Sequence, residues 1–578
     1  MQDLAHVPNG TSDSLGYIVG GGLAAGFRVR LTVQADTIQQ GSFVVCETPR
    51  YRYYGLVTDL QLGSTDPRFA DEKSDRLPVT IQNALHGKTL FTTLEMYPTL
   101  LLDLGPELTA PEREEWQQRV DAGEENPGPK PVKTVPAHHA PVRPADKADV
   151  ESIFGAAGGT NFVIGHTIEQ GYPVCLDLER FVKRSSGIFG ATGTGKSFLT
   201  RMVLAGLVKT DVAAALVFDM HNEYGLDARD SDEDKQVAGL KSLFRSKVDV
   251  AGLGKGSWVG SGKPDFDIVL AAEDFTTSDM LLIGDKLKLT ETSAATLSAL
   301  ERSFSGKWFM EFMKLDPTGE EADPSSGKKH PSPDSVAHWA RVNNINEEAA
   351  KGLHRRLKPL YDKPYIEDKP PADVVTEIVN RLENGHHVVL SFGRFEAEED
   401  YLLVSNVLTR RIRERWVEAT ESYKARQAGA TAPRPLVIVV EEAHRLLSPE
   451  VSRQTAFGTI ARELRKYNVT LLIVDQRPSG IDDEVMSQLG TRVTGWLGDD
   501  DDIRAVLSGL AGREQLRGML ARLQEKEEVL LLGWGVKMPI PLRSRRYDKR
   551  FFDEIRGRLA APIRETAYSL DDANDDLF

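Results

Sequence analysis

One run of residues has the types and spacing for phosphate chemistry. Gly190-Ala191-Thr192-Gly193-Thr194-Gly195-Lys196-Ser197 fits G-x-x-x-x-G-K-[ST] at every fixed position. Glycines let the backbone turn tightly, so that successive N–H groups face a polyphosphate. A helix expected from Phe198 adds partial positive charge at its N-terminus. Lys196 is then placed to reach the β- and γ-phosphates, and Ser197 to hold Mg²⁺. The loop predicts ATP and Mg²⁺ as ligands, with contacts from Gly190, Thr192, Gly193, Thr194, Gly195, Lys196, Ser197 and Phe198.

Two further clusters belong to the same chemistry. Leu436–Val440 is an apolar strand ending in Glu441-Glu442. Carboxylates at the C-terminal edge of a buried strand lie where α/β sheets bind ligands. Glu441 is expected to support the Mg²⁺ shell, and Glu442 to orient and deprotonate the attacking water. Many such NTPases have Asp at the first of these positions, where this chain has Glu441. A third strand, Thr470–Val474, ends in Asp475-Gln476, and the Gln476 amide is expected to contact the γ-phosphate or the attacking water. Together these pieces imply NTP hydrolysis with a conformational output.

Positioning these groups requires alternating buried strands and helices, and the chain shows that pattern from residue 160. Ile188-Phe189 ends a strand, Phe198–Val208 is an amphipathic helix and Ala213–Phe218 is a continuous apolar run. Val388–Leu390, Leu436–Val440, Thr470–Val474 and Arg492–Leu497 follow. The expectation is an α/β core over 151–274 and 386–546. A helical subdomain is expected to interrupt it over 275–385, with helices at Ser278–Phe304, Asp334–Ala340, Glu347–Tyr361 and Ala372–Leu382. Residues 1–103 alternate apolar and polar side chains in short runs, which predicts a small β-barrel or sandwich serving for structure or docking. The stretch 104–150 is acidic and then rich in Pro, Lys and His, and reads as a linker. Residues 547–578 read as an amphipathic helix followed by an acidic tail, Asp571–Phe578.

With 578 residues, 40% hydrophobic and 27% charged, the chain can build a sizeable core. Its net charge of −15 excludes a uniformly basic coat, though not a local basic channel. Cys46 and Cys175 lack the number and spacing of a disulfide framework or zinc site and suit a reducing cytoplasm. No apolar run approaches a membrane span of about 18 residues. The acidic runs Asp230–Asp234 and Asp499–Asp502 lack the context of a metal nuclease.

Four stretches resemble the HerA branch of the HerA/FtsK family of RecA-like ring ATPases. They are the Gly190–Ser197 loop; Phe218-Asp219-Met220-His221-Asn222-Glu223-Tyr224; Val440-Glu441-Glu442-Ala443-His444; and Leu464–Val469 running into Asp475-Gln476-Arg477-Pro478. The Glu-Glu-Ala-His form is similar to HerA and accounts for Glu441. The resemblance implies a RecA-like P-loop core with an inserted helical subdomain and an N-terminal barrel. It also implies a cytoplasmic homo-hexamer that translocates on double-stranded DNA and works with a NurA-type nuclease in end resection and recombinational repair. In such rings a neighbouring subunit supplies arginines, and Arg184 and Arg465 match positions of that kind. DNA contact is expected from a local basic lining: Lys255 and Lys263 in the Gly-rich segment Gly252–Lys263, and Arg453 after the Glu-Glu strand. The rival readings are a secretion or conjugation motor, a defence-type HerA with another effector enzyme, and a nucleotide-gated scaffold.

Overall fold

Period-two alternation in the first hundred residues produces antiparallel strands. β1 (Gly16–Gly22), β2 (Gly26–Leu31), β3 (Phe43–Glu47), β4 (Tyr51–Ser64) and β5 (Leu90–Asp103) pair as hairpins, and β2 also pairs with β5. β6 (Lys130–Pro131) adds to β5, while β7 (Pro141–Pro144) pairs with β1 on one side and β3 on the other. The ring β2-β1-β7-β3-β4-β5 closes on itself, and closure removes the exposed edges of a small sheet. Val29, Val44, Tyr53, Val57, Met96 and Val142 fill its interior. The computed structural model describes residues 14–65, 90–106, 109–124, 128–229, 236–259, 262–322 and 329–557. The acidic run Asp230–Asp234 and the tail Asp571–Phe578 lie outside them.

The barrel differs from expectation in its last part. Composition made 104–150 a linker, yet β7 within it closes the barrel and helix α1 (Lys147–Phe154) follows after two residues. Composition counts only what a segment can bury by itself. Here Ala140, Val142 and Ala145 are buried because they join strands and a core that the rest of the chain already supplies. The barrel is therefore not tethered at a distance. Phe43, Val45, Tyr54, Leu56 and Leu100 on its outer face join one continuous core with Val150, Ile153 and Phe154 of α1 and with the α/β sheet.

Asp149 fastens this junction. Its fully buried carboxylate accepts from Arg143 of β7 at 2.6 Å, and from Arg52 at 3.2 Å and Tyr54 at 3.1 Å in β4. It also forms a capping box with Asp146 at the start of α1. Burial alone would raise this carboxyl, but the hydrogen bonds from Arg143 and the Asp146 N–H, with the charges of Arg143 and Arg52, bring the net shift below the ordinary aspartate value.

The second module is a twelve-stranded sheet. Its strands are β8 (Asn161–Thr167), β9 (Pro173–Asp177), β10 (Ser186–Phe189), β11 (Ala214–Asp219), β12 (Val248–Leu253), β13 (Phe266–Ile268), β14 (His387–Ser391), β15 (Leu436–Glu441), β16 (Val469–Asp475), β17 (Thr491–Thr494), β18 (Glu528–Gly533) and β19 (Ile540–Ser544). The order is β13-β12-β14-β11-β15-β16-β10-β17-β18-β19-β8-β9. The run from β13 to β17 is parallel, and the rest is antiparallel. β16 lies between the phosphate-loop strand β10 and the carboxylate strand β15, which is the RecA-like arrangement. The parallel strands are buried on both faces, as their apolar runs require. The antiparallel extension through β18, β19, β8 and β9 carries weaker alternation and was not expected from the sequence.

Helices α2 (Lys196–Thr210) and α3 (Val374–Glu383) pack on the parallel strands, and α4 (Glu398–Lys424) reaches them through the Tyr401 hydroxyl, which donates to the Glu441 carbonyl at 2.7 Å. Most of 275–385 is helical, but the expected Ser278–Phe304 helix is two, Thr277–Leu282 and Glu291–Phe304. A turn at Gly284 separates them, and capping boxes at Thr276 and Thr290 start each one. α3 packs on β14 and β11, so it is a crossover helix of the sheet rather than part of an insertion. The C-terminal helix is Lys549–Ile555, with Phe551 and Ile555 buried. Among the described residues no helix is long and apolar enough to cross a membrane.

Asp149→Ala should leave Arg143 and Arg52 without their buried anion and lower stability by about 3–5 kcal/mol. The check is a fall in Tm by calorimetry together with faster proteolysis at the barrel–core junction. Because the native carboxyl titrates below the ordinary aspartate value, this contribution is complete above about pH 4 and is lost as the pH falls further.

Candidate nucleotide site

Register brings the site together. Phe189 at the end of β10 lies beside Asp475 of β16 and Thr494 of β17, and Glu441 of β15 beside Val474. The loops that follow these strands therefore emerge level at one sheet edge.

The phosphate loop leaves β10 at Gly190, where φ is 155° and an added Cβ would meet the Thr194 hydroxyl at 2.5 Å. Gly193 and Gly195 have φ of 79° and 85°, and α2 begins at Lys196. Only glycine takes this sequence of turns without strain, so the motif's glycines are explained by backbone geometry. Thr194 Oγ1 and Lys196 Nζ both donate to the Ala191 carbonyl, at 2.8 and 2.9 Å. Burial lowers the Lys196 ammonium from its ordinary value, against the attraction of Glu442, Asp475, Glu223 and Glu441. Ser197 is half-buried in the first turn of α2. Phe198 is also half-buried, with its ring centroid 6.2 Å from that of Tyr547.

The two glutamates have different surroundings. Glu441 is buried and accepts from the Tyr224 hydroxyl at 2.7 Å and the Met220 N–H at 3.2 Å. Burial and the neighbouring Asp219 hold its carboxyl well above the usual range. Asp219 accepts from the N–H groups of Glu223, Tyr224 and Gly225, and burial still pushes it up to about 6. A carboxyl in this position gains from a nearby dication, and its remaining lone pairs can accept from a coordinated water. Mg²⁺ takes few protein ligands beside phosphate oxygens and waters, and the Ser197 hydroxyl and the Glu441 carboxylate are oxygen donors of the kind it prefers.

Glu442 has φ of 46°, a left-handed backbone that only a well-determined surrounding maintains in a residue with a side chain. Its Oε1 accepts from Gln476 Nε2 at 3.0 Å, and Gln476 Oε1 in turn accepts from the Thr192 hydroxyl at 2.5 Å. One amide thus links the phosphate loop to the expected general base. On the other side, Oε2 lies 3.8 Å from His444 Nδ1. His444 is fixed by Asp475, which accepts from its N–H at 2.7 Å and its Nδ1 at 3.0 Å, and from the Arg477 N–H at 2.7 Å. The Asp475 hydrogen bond raises the His444 imidazole, against burial. Together the groups form a phosphate-loop site: a backbone cradle, a cation, a carboxylate and a polar link between them.

The family model described as "Helicase HerA, central domain" matches residues 162–412. The matched stretch holds the phosphate loop and ends before Glu441. The chain is 25% identical over 535 residues to the DNA double-strand break repair helicase HerA of Saccharolobus solfataricus, covering 91% of each chain. It is 24% identical over 544 residues to the protein of the same name from Sulfolobus acidocaldarius, covering 93% of this chain and 94% of that one. Among solved structures, VirB4 of Thermoanaerobacter pseudethanolicus superposes with a TM-score of 0.42 at 15% identity, covering 68% of this chain and 98% of that one.

The sheet gathers Gly190–Phe198, Glu441, Glu442 and Gln476 at one edge. The other expected residues lie elsewhere. Arg184 precedes β10, at the opposite edge of the sheet, with its guanidinium 3.9 Å from the Trp534 ring centroid. Arg465 lies in the single turn Leu464–Tyr467 before β16, and its side chain is outside the described residues. Lys263 and Arg453 are exposed, whereas Lys255 is ion-paired with Glu367. Tyr224, Asp219, His444 and Asp475 hold the site, although no motif position marks them out in the sequence. Each sits inside a stretch that carries the resemblance, so adjacency to the assigned glutamates and glutamine was the available signal.

Gln476→Ala should free the Glu442 carboxylate from its fixed position. The expected loss is about 10²-fold in kcat, the scale of a misplaced reacting group, with KM for ATP little changed. Glu442→Gln should bind ATP and stall, because an amide cannot take the proton of water. Steady-state ATPase assays with nucleotide-binding measurements check both.

Proposed function

We propose that the chain is an ATP-driven motor that moves along double-stranded DNA as a homo-hexamer, with a NurA-type nuclease as its partner in resecting DNA ends. The observation that carries the hydrolytic part is the Thr192–Gln476–Glu442 link, which ties the base to the loop that would hold the triphosphate. In this reading Lys196 leaves the Ala191 carbonyl for the β- and γ-phosphate oxygens. Ser197 and Glu441 would hold Mg²⁺, which would supply positive charge to the same oxygens. Glu442, oriented by Gln476, takes a proton from the attacking water. The amide that orients the base also touches the loop, so loss of the γ-phosphate changes both contacts at once.

Action across subunits is supported by the position of Arg184. Strand β10, whose four residues span roughly 13 Å, separates Arg184 from the phosphate loop, which exceeds the reach of an arginine side chain. Arg184 and Arg465 would serve the nucleotide of a neighbouring copy. DNA as the track is supported by the names of the relatives and by the exposed Lys263 and Arg453. For the barrel, docking of the nuclease is supported by the β4–β5 hairpin, where Leu62 is 89% exposed.

The test is ATP hydrolysis with and without linear duplex DNA. Lys196→Ala should abolish turnover, and DNA should stimulate the wild type. Lys263→Glu with Arg453→Glu should reduce that stimulation while leaving DNA-free turnover near wild type. Turnover that ignores DNA would favour a nucleotide-gated scaffold instead. Rings mixed from Arg465→Ala and Lys196→Ala subunits should regain part of the activity, since some interfaces then pair an intact loop with an intact arginine.

A further inference from the structure

Glu223 stands on the turn after β11, and one oxygen of its carboxylate, Oε2, is buried with no hydrogen-bond partner among the described residues. The turn itself is tightly held. Asn222 takes a left-handed φ of 58°, and its Oδ1 accepts from the Gly393 N–H at 3.1 Å and from the Ser391 hydroxyl. The Glu223 N–H donates to Asp219 Oδ1 at 2.7 Å. The Glu223 carbonyl accepts from Arg201 Nε at 3.0 Å and from Nη2 at 2.6 Å. Arg201 is itself buried, with its guanidinium carbon 5.3 Å from the Phe198 ring centroid. The next residue of the turn, Tyr224, donates its hydroxyl to Glu441.

Arg201 decides where this glutamate stands. It lies four residues after Ser197 in α2, so the two share one face of the helix. Helical side chains lean toward the N-terminus, which brings the guanidinium of Arg201 back toward the turn that carries Ser197. Glu223, bound to that guanidinium, therefore stands on the side of the hydroxyl that would meet Mg²⁺. Its negative charge acts on the Lys196 ammonium, and on Asp219 and Glu441 behind it. A buried carboxylate oxygen without a donor is costly, and a native site keeps one where a ligand supplies the missing partner. A bare triphosphate is not that partner, since like charges repel. A hydrated divalent ion is, because its coordinated waters are strong donors. Among the described residues no three His, Cys, Asp or Glu side chains form a metal-holding group, which fits an ion that arrives with the phosphates.

We propose that Glu223 is a further residue for the Mg²⁺ of a bound nucleotide, its Oε2 accepting a hydrogen bond from a water in the ion's shell. This rests on the reading of Ser197 and Glu441 as the residues that hold Mg²⁺. The assignment gives Glu223 opposite effects on two forms of the ligand: it repels a metal-free triphosphate and favours the metal complex. A residue that only supports the turn would affect both alike. Asp219 and Arg201 hold Glu223 by its backbone atoms, so a change of side chain leaves the turn in place.

The experiment uses the full-length chain, a non-hydrolysable ATP analogue and Mn²⁺ as the ion, titrated by electron paramagnetic resonance. Glu223→Gln should weaken the affinity of the chain–analogue complex for Mn²⁺ about tenfold, the scale of a lost partner to a metal's bound water. It should bind the metal-free analogue more tightly than wild type, with Tm close to wild type. Glu223→Asp keeps the charge on a shorter side chain and should fall between the two. In steady-state assays of Glu223→Gln, the Mg²⁺ concentration at half-maximal turnover should rise by a similar factor. Ser197→Ala is the reference for the reading beneath the proposal and should also weaken Mn²⁺, whereas Glu442→Gln should not. If Ser197→Ala weakens Mn²⁺ and Glu223→Gln does not, the inference fails alone. If neither variant does, the reading of the Mg²⁺ site falls with it. Equal weakening of the metal-free and metal-bound analogue would make Glu223 a support of the turn, and lost turnover at unchanged Mn²⁺ affinity would make it a second base. Either result overturns the proposal.

Discussion

The site depends on the parallel register of three strands. β16 lies between β10 and β15, and its hydrogen bonds to both set Phe189 level with Asp475 and Glu441 level with Val474. Every polar contact that follows is short-range and needs that alignment. Gln476 is the first residue past β16, so its amide has the phosphate loop on one side and Glu442 on the other. A one-residue slip would turn Val474 or Asp475 to the wrong face and separate the loop from the carboxylate. Apolar burial of Leu471, Leu472 and Ile473 holds the register, so the core's packing positions the chemistry.

Charge is handled differently at the two levels of the site. At the outer level, the half-buried Lys196, Glu442 and His444 form with the buried Asp475 a mixed set in which each ion has an opposite neighbour. Deeper in, Asp219 and Glu441 are buried carboxyls whose partners are mainly neutral N–H and O–H donors. The outer layer suits proton transfer, which needs a defined orientation and changeable charge. The inner layer fixes the turn after β11 against the end of β15 and keeps acceptor capacity facing the loop.

The motif-bearing parts of this arrangement were legible in the sequence. The phosphate loop, the glutamate pair and the strand before Gln476 each combine fixed residue types with a long apolar run, and both signals are local. Three other features were not legible. β7 closes the barrel with Pro141–Pro144, a stretch whose composition predicts no fold, because its partners lie about a hundred residues or more earlier in the chain, in β1 and β3. The antiparallel extension through β18, β19, β8 and β9 is assembled from distant segments with short, uneven patterns. The stacking of Arg184 on Trp534 joins residues from opposite ends of the core and leaves no trace in spacing.

The late arrival of β7 has a consequence for inheritance and engineering. The barrel's ring is completed only at Pro144, and the Asp149 lock follows within α1. An exchange of barrels between related chains that joins them near residue 103 would leave one protein's β7 to close another protein's barrel. The seam that keeps a whole barrel with its own closing strand and lock lies after Phe154. Recombination there would transfer the module with its fastening, and the outer-face residues Phe43, Tyr54 and Leu100 would then be the surface that the recipient core must match.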